Sequence, residues 1–492
     1  MTIYRNFING EWRESNSAET APNVNPANTN DIIGIIKLST REEARTAVAA
    51  AYDAFKNWKN TPAPTRGKIV AKFARLLEDN REELAQILTR EEGKTLAESR
   101  GELQRSINVA EFCAGEARRL NGETIQSELA ANFAYTIKEP HGVVAIITPW
   151  NFPVAIPVWK IAPALVAGNT VVFKPAEATP ATAVRICELF EEAGIPKGVL
   201  NLILGKGSEI GDEICNHAAV KAISFTGSTA TGIKLYEQAA RRGAKVQCEM
   251  GGKNPVVVMD DCDLDLAVES TANGAFGSTG QRCTATSRAV VIDKIADEFV
   301  RKIVEKAQAM RIGDGADSQT EMGPIVDEKQ FNTVLKYIDI GHEDGAELLC
   351  GGKRAAGENL EDGYFIEPTV FDQVTSDMRI AQEEIFGPVL SVLRVKDFDE
   401  AMIVANDSPY GLTSSIFTND PNLIFRFIGE IETGMTHINS PTTGGEAHIP
   451  FGGVKMTGIG AREQGSTSLD FYTELKVVYV DYTGRKREGN LY

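Results

Sequence analysis

Between Gly142 and Glu249 short apolar runs alternate with amphipathic stretches, and no other feature restricts the possible folds as much. Residues 143–147, 170–173, 199–203, 222–225 and 245–249 read as buried strands, with helices such as 181–193 and 231–242 between them. A strand–helix–strand series of this length predicts a doubly wound parallel sheet, because right-handed crossovers lay helices on both faces. Ligands of such sheets gather beyond the carboxyl ends of the strands, where Asn151, Lys174, Gly205 and Gly227 fall.

A second α/β series runs from Asn254 to about Phe451, with strands expected at 256–259 and 289–292. The first 60 residues read as a short hairpin around Phe7 to Trp12, then a helix opened by the capping pattern Thr40-x-x-Glu43. Ala44, Ala47, Val48, Ala51, Phe55 and Trp58 share one face of that helix, and more helices are expected up to Leu120. Two segments fit neither series. Residues 132–139 alternate Phe133, Tyr135 and Ile137 with polar positions, and 474–482 alternate Leu475, Val477 and Tyr479, so each predicts a strand with one apolar face and an open edge.

The length of 492 residues suggests two to four domains, and 42% hydrophobic with 24% charged residues is ordinary for a globular protein. A formal charge of -17, with no Lys/Arg block, argues against a nucleic-acid surface. No run approaches the roughly 18 apolar residues of a membrane helix. The start, Met1 to Asn6, lacks a signal-peptide core, so a cytoplasmic location is expected. Seven scattered cysteines without a C-x-x-C pair signal neither disulfides nor zinc, and five histidines without H-E-x-x-H spacing predict no metal site. Partners should be small molecules or further copies of the chain.

Cys283, in Gly280-Gln281-Arg282-Cys283-Thr284-Ala285, is preceded by Glu249 before Gly251-Gly252 and by Asn151 in Pro149-Trp150-Asn151-Phe152-Pro153. A thiol, a carboxylate and an amide donor are the parts that an acyl-enzyme mechanism needs. A lone cysteine is more often a small buried hydrophobe, and an Asn in that setting is equally a turn former. A nucleophilic Cys283 needs surroundings that favour the thiolate, and Arg282 adds a neighbouring positive charge. Phe225-Thr226-Gly227-Ser228-Thr229 ends a strand and opens a helix, so Ser228 and nearby amides can meet a phosphate. No G-x-G-x-x-G follows the first strand; the nearest pattern, Gly205 to Gly211, has one residue too many.

These motifs, with Glu383-Glu384-Ile385-Phe386-Gly387-Pro388 and Pro450-Phe451-Gly452-Gly453-Val454-Lys455, resemble the aldehyde dehydrogenase superfamily along essentially the whole chain. The resemblance implies two doubly wound α/β domains plus a small β oligomerisation domain. Residues 1–121 and 141–249 would bind the cofactor, 250–456 would form the catalytic domain, and 122–140 with 457–492 would assemble a homodimer or homotetramer. It implies Cys283 as nucleophile, Glu249 as the base that hydrolyses the thioester, Asn151 and the Cys283 N–H as oxyanion donors, and Lys160 with Glu463 as a proton relay. It further implies a dinucleotide held by Thr148, Trp150, Lys174, Glu177, Gly207, Gly227, Ser228, Met250, Glu384 and Phe386. A carboxylate at 177 accepts from a ribose 2′-OH and repels a 2′-phosphate, which points to NAD, while Lys174 leaves NADP possible.

Residues 280–288 and 251–255 look most like the α-ketoglutaric (2,5-dioxovalerate) semialdehyde dehydrogenases, with succinic semialdehyde dehydrogenases as further neighbours. Enzymes of acidic semialdehydes commonly carry pocket arginines where this chain has Gly277 and Trp159, which leaves only Arg282 to pair with a carboxylate tail. Phe152, Trp159, Thr284 and Phe451 complete the expected pocket, which Gly277 would enlarge. The expected reaction is NAD(P)-dependent, non-acylating oxidation of a broad range of aldehydes, bulky or long ones included. The alternatives are α-ketoglutaric or succinic semialdehyde and, from another class, a non-catalytic binding protein on the same fold. A cysteine hydrolase would need a histidine partner, and no histidine adjoins a motif.

Overall fold

The computed structural model describes residues 1–486, so the end of the expected 457–492 element lies outside the described residues. Its first large sheet has eight strands. Five of them run parallel in the spatial order Lys245–Glu249, Val220–Thr226, Val143–Ile147, Thr170–Lys174 and Leu200–Leu202. The winding reverses between Val143–Ile147 and Val220–Thr226, which opens a crevice at their carboxyl ends. The apolar runs behave as expected: Val143, Val144, Ala145 and Ile146 are fully buried between helices on both faces. The antiparallel hairpin Asn6–Ile8 and Glu11–Arg13 extends one edge, and Gly458–Ile459 pairs with Lys245–Glu249 at the other. Residues 458–459, grouped by sequence with the assembly elements, thus join the first large sheet.

The second sheet has seven strands, centred on Asn254–Val258 and Thr286–Ile292, and is parallel except where Glu347–Cys350 meets Thr369–Asp372. Residues Asn132–Pro140 and Thr473–Asp481 form strands, as the alternation predicts, and they pair with each other antiparallel over nine positions. Among the described residues Thr473–Asp481 has a strand partner on one edge, Asn132–Pro140, and it exposes Leu475, Val477 and Tyr479 at 62%, 52% and 71%. The amino-terminal reading needs correction. Beside the hairpin and the helix Arg41–Trp58, Thr2–Tyr4, Ile32–Lys37 and Thr20–Val24 form a three-stranded sheet. Its strands are short, Pro22 interrupts one of them, and Thr2–Tyr4 finds its parallel partner about 30 residues away, so alternation alone is a weak signal.

Three helices follow as expected, Ala63–Asp79, Arg81–Glu92 and Leu96–Glu116. The last begins with a reciprocal cap: Thr95 Oγ1 accepts the Glu98 N–H while the Glu98 carboxylate accepts the Thr95 N–H. The helix Ala155–Ala167 is buried along its entire length and packs between Leu96–Glu116 and the first sheet.

Candidate active site

Cys283 stands in a turn just before the strand Thr286–Ile292. The turn is held by backbone that few sequences adopt. Ser278, Thr279 and Gly280 take φ of 49°, 58° and 68°, and a Cβ on Gly280 would lie 2.1 Å from the Gly387 carbonyl oxygen. Asn254 Nδ2 donates to the carbonyls of Cys283 and Ala285 at 2.8 Å each. Glu98 Oε1, on the capping carboxylate, accepts the Ser278 N–H at 2.6 Å and pairs with Arg282 at 3.2 Å. The sulfur is therefore presented by a turn clamped from three sides.

A cavity of about 240 Å³ opens on Cys283, bounded by Phe152, Trp159, Thr284 and Phe451 and also by Ile156, Glu102 and Arg105. Arg282 lines it too, but its guanidinium is committed to Glu98 and to Ser278 Oγ at 2.9 Å, so it is not the free cation that the sequence suggested. Gly277 is not in the wall; the Arg282 guanidinium lies 3.4 Å from where its Cβ would be and occupies the room that glycine leaves. The cation missed by sequence reasoning is Arg105. It donates to the Gly445 carbonyl at 2.6 Å and to Gln464 Oε1 at 3.1 Å, and lies 5.5 Å from the Trp159 ring, while its Nε is buried with no partner. Only a lone arginine on the inner face of an amphipathic helix marks it in the sequence.

Asn151 is buried, and its Nδ2 donates to the carbonyl of Gln281, two residues before the sulfur, at 3.0 Å. Glu249 ends its strand with Oε2 buried and unpartnered, and a Cβ on Gly452 would meet its Oε1 at 2.4 Å. Burial first, then the neighbouring Glu463, hold the Glu249 carboxyl well above the usual range, against the pull of Lys160 and Arg462. Lys160 Nζ is ion-paired with Glu463 Oε1 and donates to Ser224 Oγ at 3.0 Å. Burial also pushes the Cys283 thiol up to about 12, helped by Glu384, Glu249 and Glu463 and opposed by Arg105. The surroundings thus favour the resting thiol, contrary to the thiolate-stabilising environment expected of a nucleophile.

Of the residues expected to hold a dinucleotide, Thr148, Trp150, Lys174, Glu177, Gly207, Gly227, Ser228 and Met250 stand at or after the carboxyl ends of the five parallel strands of the first sheet, and Glu384 and Phe386 precede the strand Val389–Val395 of the second. Thr148 follows one strand with its Oγ1 buried and unpartnered, and Gly227 and Ser228 open the helix Thr229–Ala240, which has no side-chain cap on its first amides. Glu177 accepts the Gly207 N–H at 3.2 Å, and buried Lys174 donates to the Pro175 carbonyl at 2.8 Å. The surplus residue in Gly205 to Gly211 is taken up as a π-helical turn, Gly207–Gly211. Trp150 meets Phe386 edge to face at 5.4 Å. Met250 packs against Gly232, whose Cβ would lie 2.4 Å from its sulfur, and Glu384 accepts the Gly252 N–H at 3.0 Å. Burial raises the Glu384 carboxyl to about 7. Among the described residues no cluster of His, Cys, Asp and Glu is placed to hold a metal, and no helix is long and apolar enough to cross a membrane.

The model of the aldehyde dehydrogenase family matches residues 12–478. The chain belongs to the aldehyde dehydrogenase family. It is 47% identical to the α-ketoglutarate semialdehyde dehydrogenase of Haloferax volcanii, over 97% of this chain and 99% of that one. It is 46% identical to the α-ketoglutaric semialdehyde dehydrogenase of Bacillus subtilis, over 98% of each. A crystal structure of betaine aldehyde dehydrogenase from Staphylococcus aureus in complex with NAD+ superposes with a TM-score of 0.96 at 40% identity, covering 98% of this chain and 95% of that one. This protein is therefore an oxidoreductase of aldehydes built on the aldehyde dehydrogenase fold.

Proposed function

We propose that the protein oxidises a short aldehyde with a carboxylate tail, 2,5-dioxovalerate (α-ketoglutaric semialdehyde), to the diacid with NAD. The observation that carries this is Arg105, a guanidinium in the wall of the Cys283 cavity with one buried N–H unpaired. It supplies the counter-charge that Arg282 cannot, and so displaces the broad-range substrate expected from sequence. The relatives at 46–47% identity carry the same substrate in their names. A cavity of about 240 Å³ also suits a five-carbon acid better than a long chain.

The crevice fits a dinucleotide: uncapped helix amides at Ser228 for a phosphate, the Glu177 carboxylate for ribose hydroxyls, and Glu384 and Phe386 at the cleft end. When bound, NAD supplies the hydride acceptor. Cys283 attacks the aldehyde carbon, and its proton passes to Glu249, made more basic than an ordinary carboxylate. Asn151 Nδ2 and the Cys283 N–H steady the developing oxyanion, for about 2.7–4 kcal/mol per donor. Loss of hydride leaves a thioester on Cys283. With that first proton passed on, the Glu249 carboxylate takes a proton from water, the hydroxyl adds to the acyl carbon, and the proton returns to the departing sulfur as the acid forms. Lys160 and Glu463 carry the proton onward from Glu249. The exposed face of the strand pair Asn132–Pro140 and Thr473–Asp481 is the surface through which copies would assemble. Comparing kcat/KM for 2,5-dioxovalerate, succinic semialdehyde, betaine aldehyde and pentanal with both cofactors tests the reading; it fails if an uncharged aldehyde is turned over as efficiently as the acids.

A further inference from the structure

Behind the oxyanion side of the cavity lies a buried ion pair to which no step above gives a part. Lys94 sits in the bend between the helices Arg81–Glu92 and Leu96–Glu116, where Gly93, at φ 99°, turns the chain inward. Its ammonium is 2% exposed as a residue and donates at 2.6 Å to Glu102 Oε2 and at 2.6 Å to the backbone carbonyl of Asn151. It also lies 4.1 Å from the centre of the Phe152 ring. Glu102 Oε1 in turn accepts the N–H groups of Val154 and Ala155 at 2.8 and 3.0 Å, at the start of the helix Ala155–Ala167. That helix has no side-chain cap of its own.

A short polar side chain at position 152 could accept from those amides without burying two charges, a costly arrangement. What the Lys94–Glu102 pair does, and a cap would not, is hold both ends of residues 151–155 to one rigid point. Asn151 makes a single side-chain hydrogen bond, to the Gln281 carbonyl, so its aim depends on where its backbone is held. We propose that Lys94 is a positioning residue for the reaction: through the Asn151 carbonyl and the Phe152 ring it fixes the oxyanion donor and the adjoining cavity wall. This rests on the reading of Asn151 as oxyanion donor.

The test is a double-mutant cycle on single-turnover hydride transfer, followed by reduced-nicotinamide absorbance at saturating 2,5-dioxovalerate and NAD. N151A should slow the step by about 10²–10³-fold, as loss of one oxyanion donor does. K94M should slow it by about 10- to 100-fold, as a displaced catalytic group does, with aldehyde KM changing less than about threefold. In the N151A background K94M should cost less than about threefold more, because its effect passes through the missing amide. Equal costs in both backgrounds, or a K94M rate equal to wild type, overturn the inference. An unchanged rate in N151A alone overturns the reading of Asn151 instead. K94M leaves Glu102, and Glu92 at 3.9 Å, buried without a counter-ion, so K94M/E92Q/E102Q, which removes all three charges, is run through the same cycle with the same expectations.

Discussion

Replacing Arg105 by Leu removes the cation proposed to hold the substrate tail while keeping an apolar stem against Trp159. Pairing with a carboxylate in the cavity satisfies an Nε now buried without a partner, and a charge-assisted hydrogen bond contributes about 1.5–3 kcal/mol. Truncating one member of a desolvated charge pair costs about 2–5 kcal/mol. Against this, the substrate must compete with the 2.6 Å bond to Gly445, a loss of about 1 kcal/mol. A net of about 3 kcal/mol predicts that R105L lowers kcat/KM for 2,5-dioxovalerate on the order of a hundredfold. The same variant should change kcat/KM for pentanal, of equal chain length and no charge, by less than about threefold. R105K keeps the charge but loses the planar fork, and should fall between, about tenfold down. Rates read from reduced-nicotinamide absorbance, with a melting curve for each variant, decide the matter. An equal drop for both aldehydes makes Arg105 a prop for the Gly445 loop, and no drop for either removes it from recognition.

C283A should abolish oxidation, while E249Q should give a burst of reduced cofactor followed by turnover at least about 100-fold slower; full steady-state turnover in E249Q would remove Glu249 from hydrolysis. E177S should raise the ratio of NADP to NAD efficiency by about tenfold or more, because the carboxylate that would repel a 2′-phosphate is gone, and an unchanged ratio in the two-cofactor assay would refute its place beside the ribose. Glu92, fully buried, has its carboxyl raised from 4.5 to about 7 by burial, against the pull of Lys94. A raised folded-state value means that this group's contribution is complete below about pH 4.5 and is lost as pH climbs through 7. E92Q should therefore gain about 3 kcal/mol of unfolding free energy over wild type between acid and alkaline pH. Parallel urea titrations that keep a constant gap between the two proteins would contradict it.

The first large sheet was legible because its central strands are buried on both faces: an unbroken run such as Val143 to Ile146 has few other uses. The helix Arg41–Trp58 was legible for a local reason, a reciprocal cap on Thr40 and Glu43. The candidate trio Asn151, Glu249 and Cys283 came from recognisable motifs rather than from periodicity. What escaped depends on partners distant in the chain. Gly458–Ile459 is a strand of two residues, made so only by the edge it meets. Arg105 is one of 51 lysines and arginines, and nothing in its neighbours tells that its helix will face the sulfur. Arg282 misled for the opposite reason: adjacency to the nucleophile implied freedom, whereas Glu98, 184 positions earlier, claims it.

Lys160 and Glu463 touch although 303 positions separate them, and both lie in the interior. A ribosome that has released every parallel strand of the first lobe has yet to make the acid that neutralises this ammonium. Until it does, closing that lobe would bury this ammonium without its ion-pair partner, an outcome disfavoured by several kcal/mol. The nascent chain is thereby biased to leave this region loose until its late segment arrives. Competence for hydrolysis is thus expected to appear as one of the last events of biogenesis.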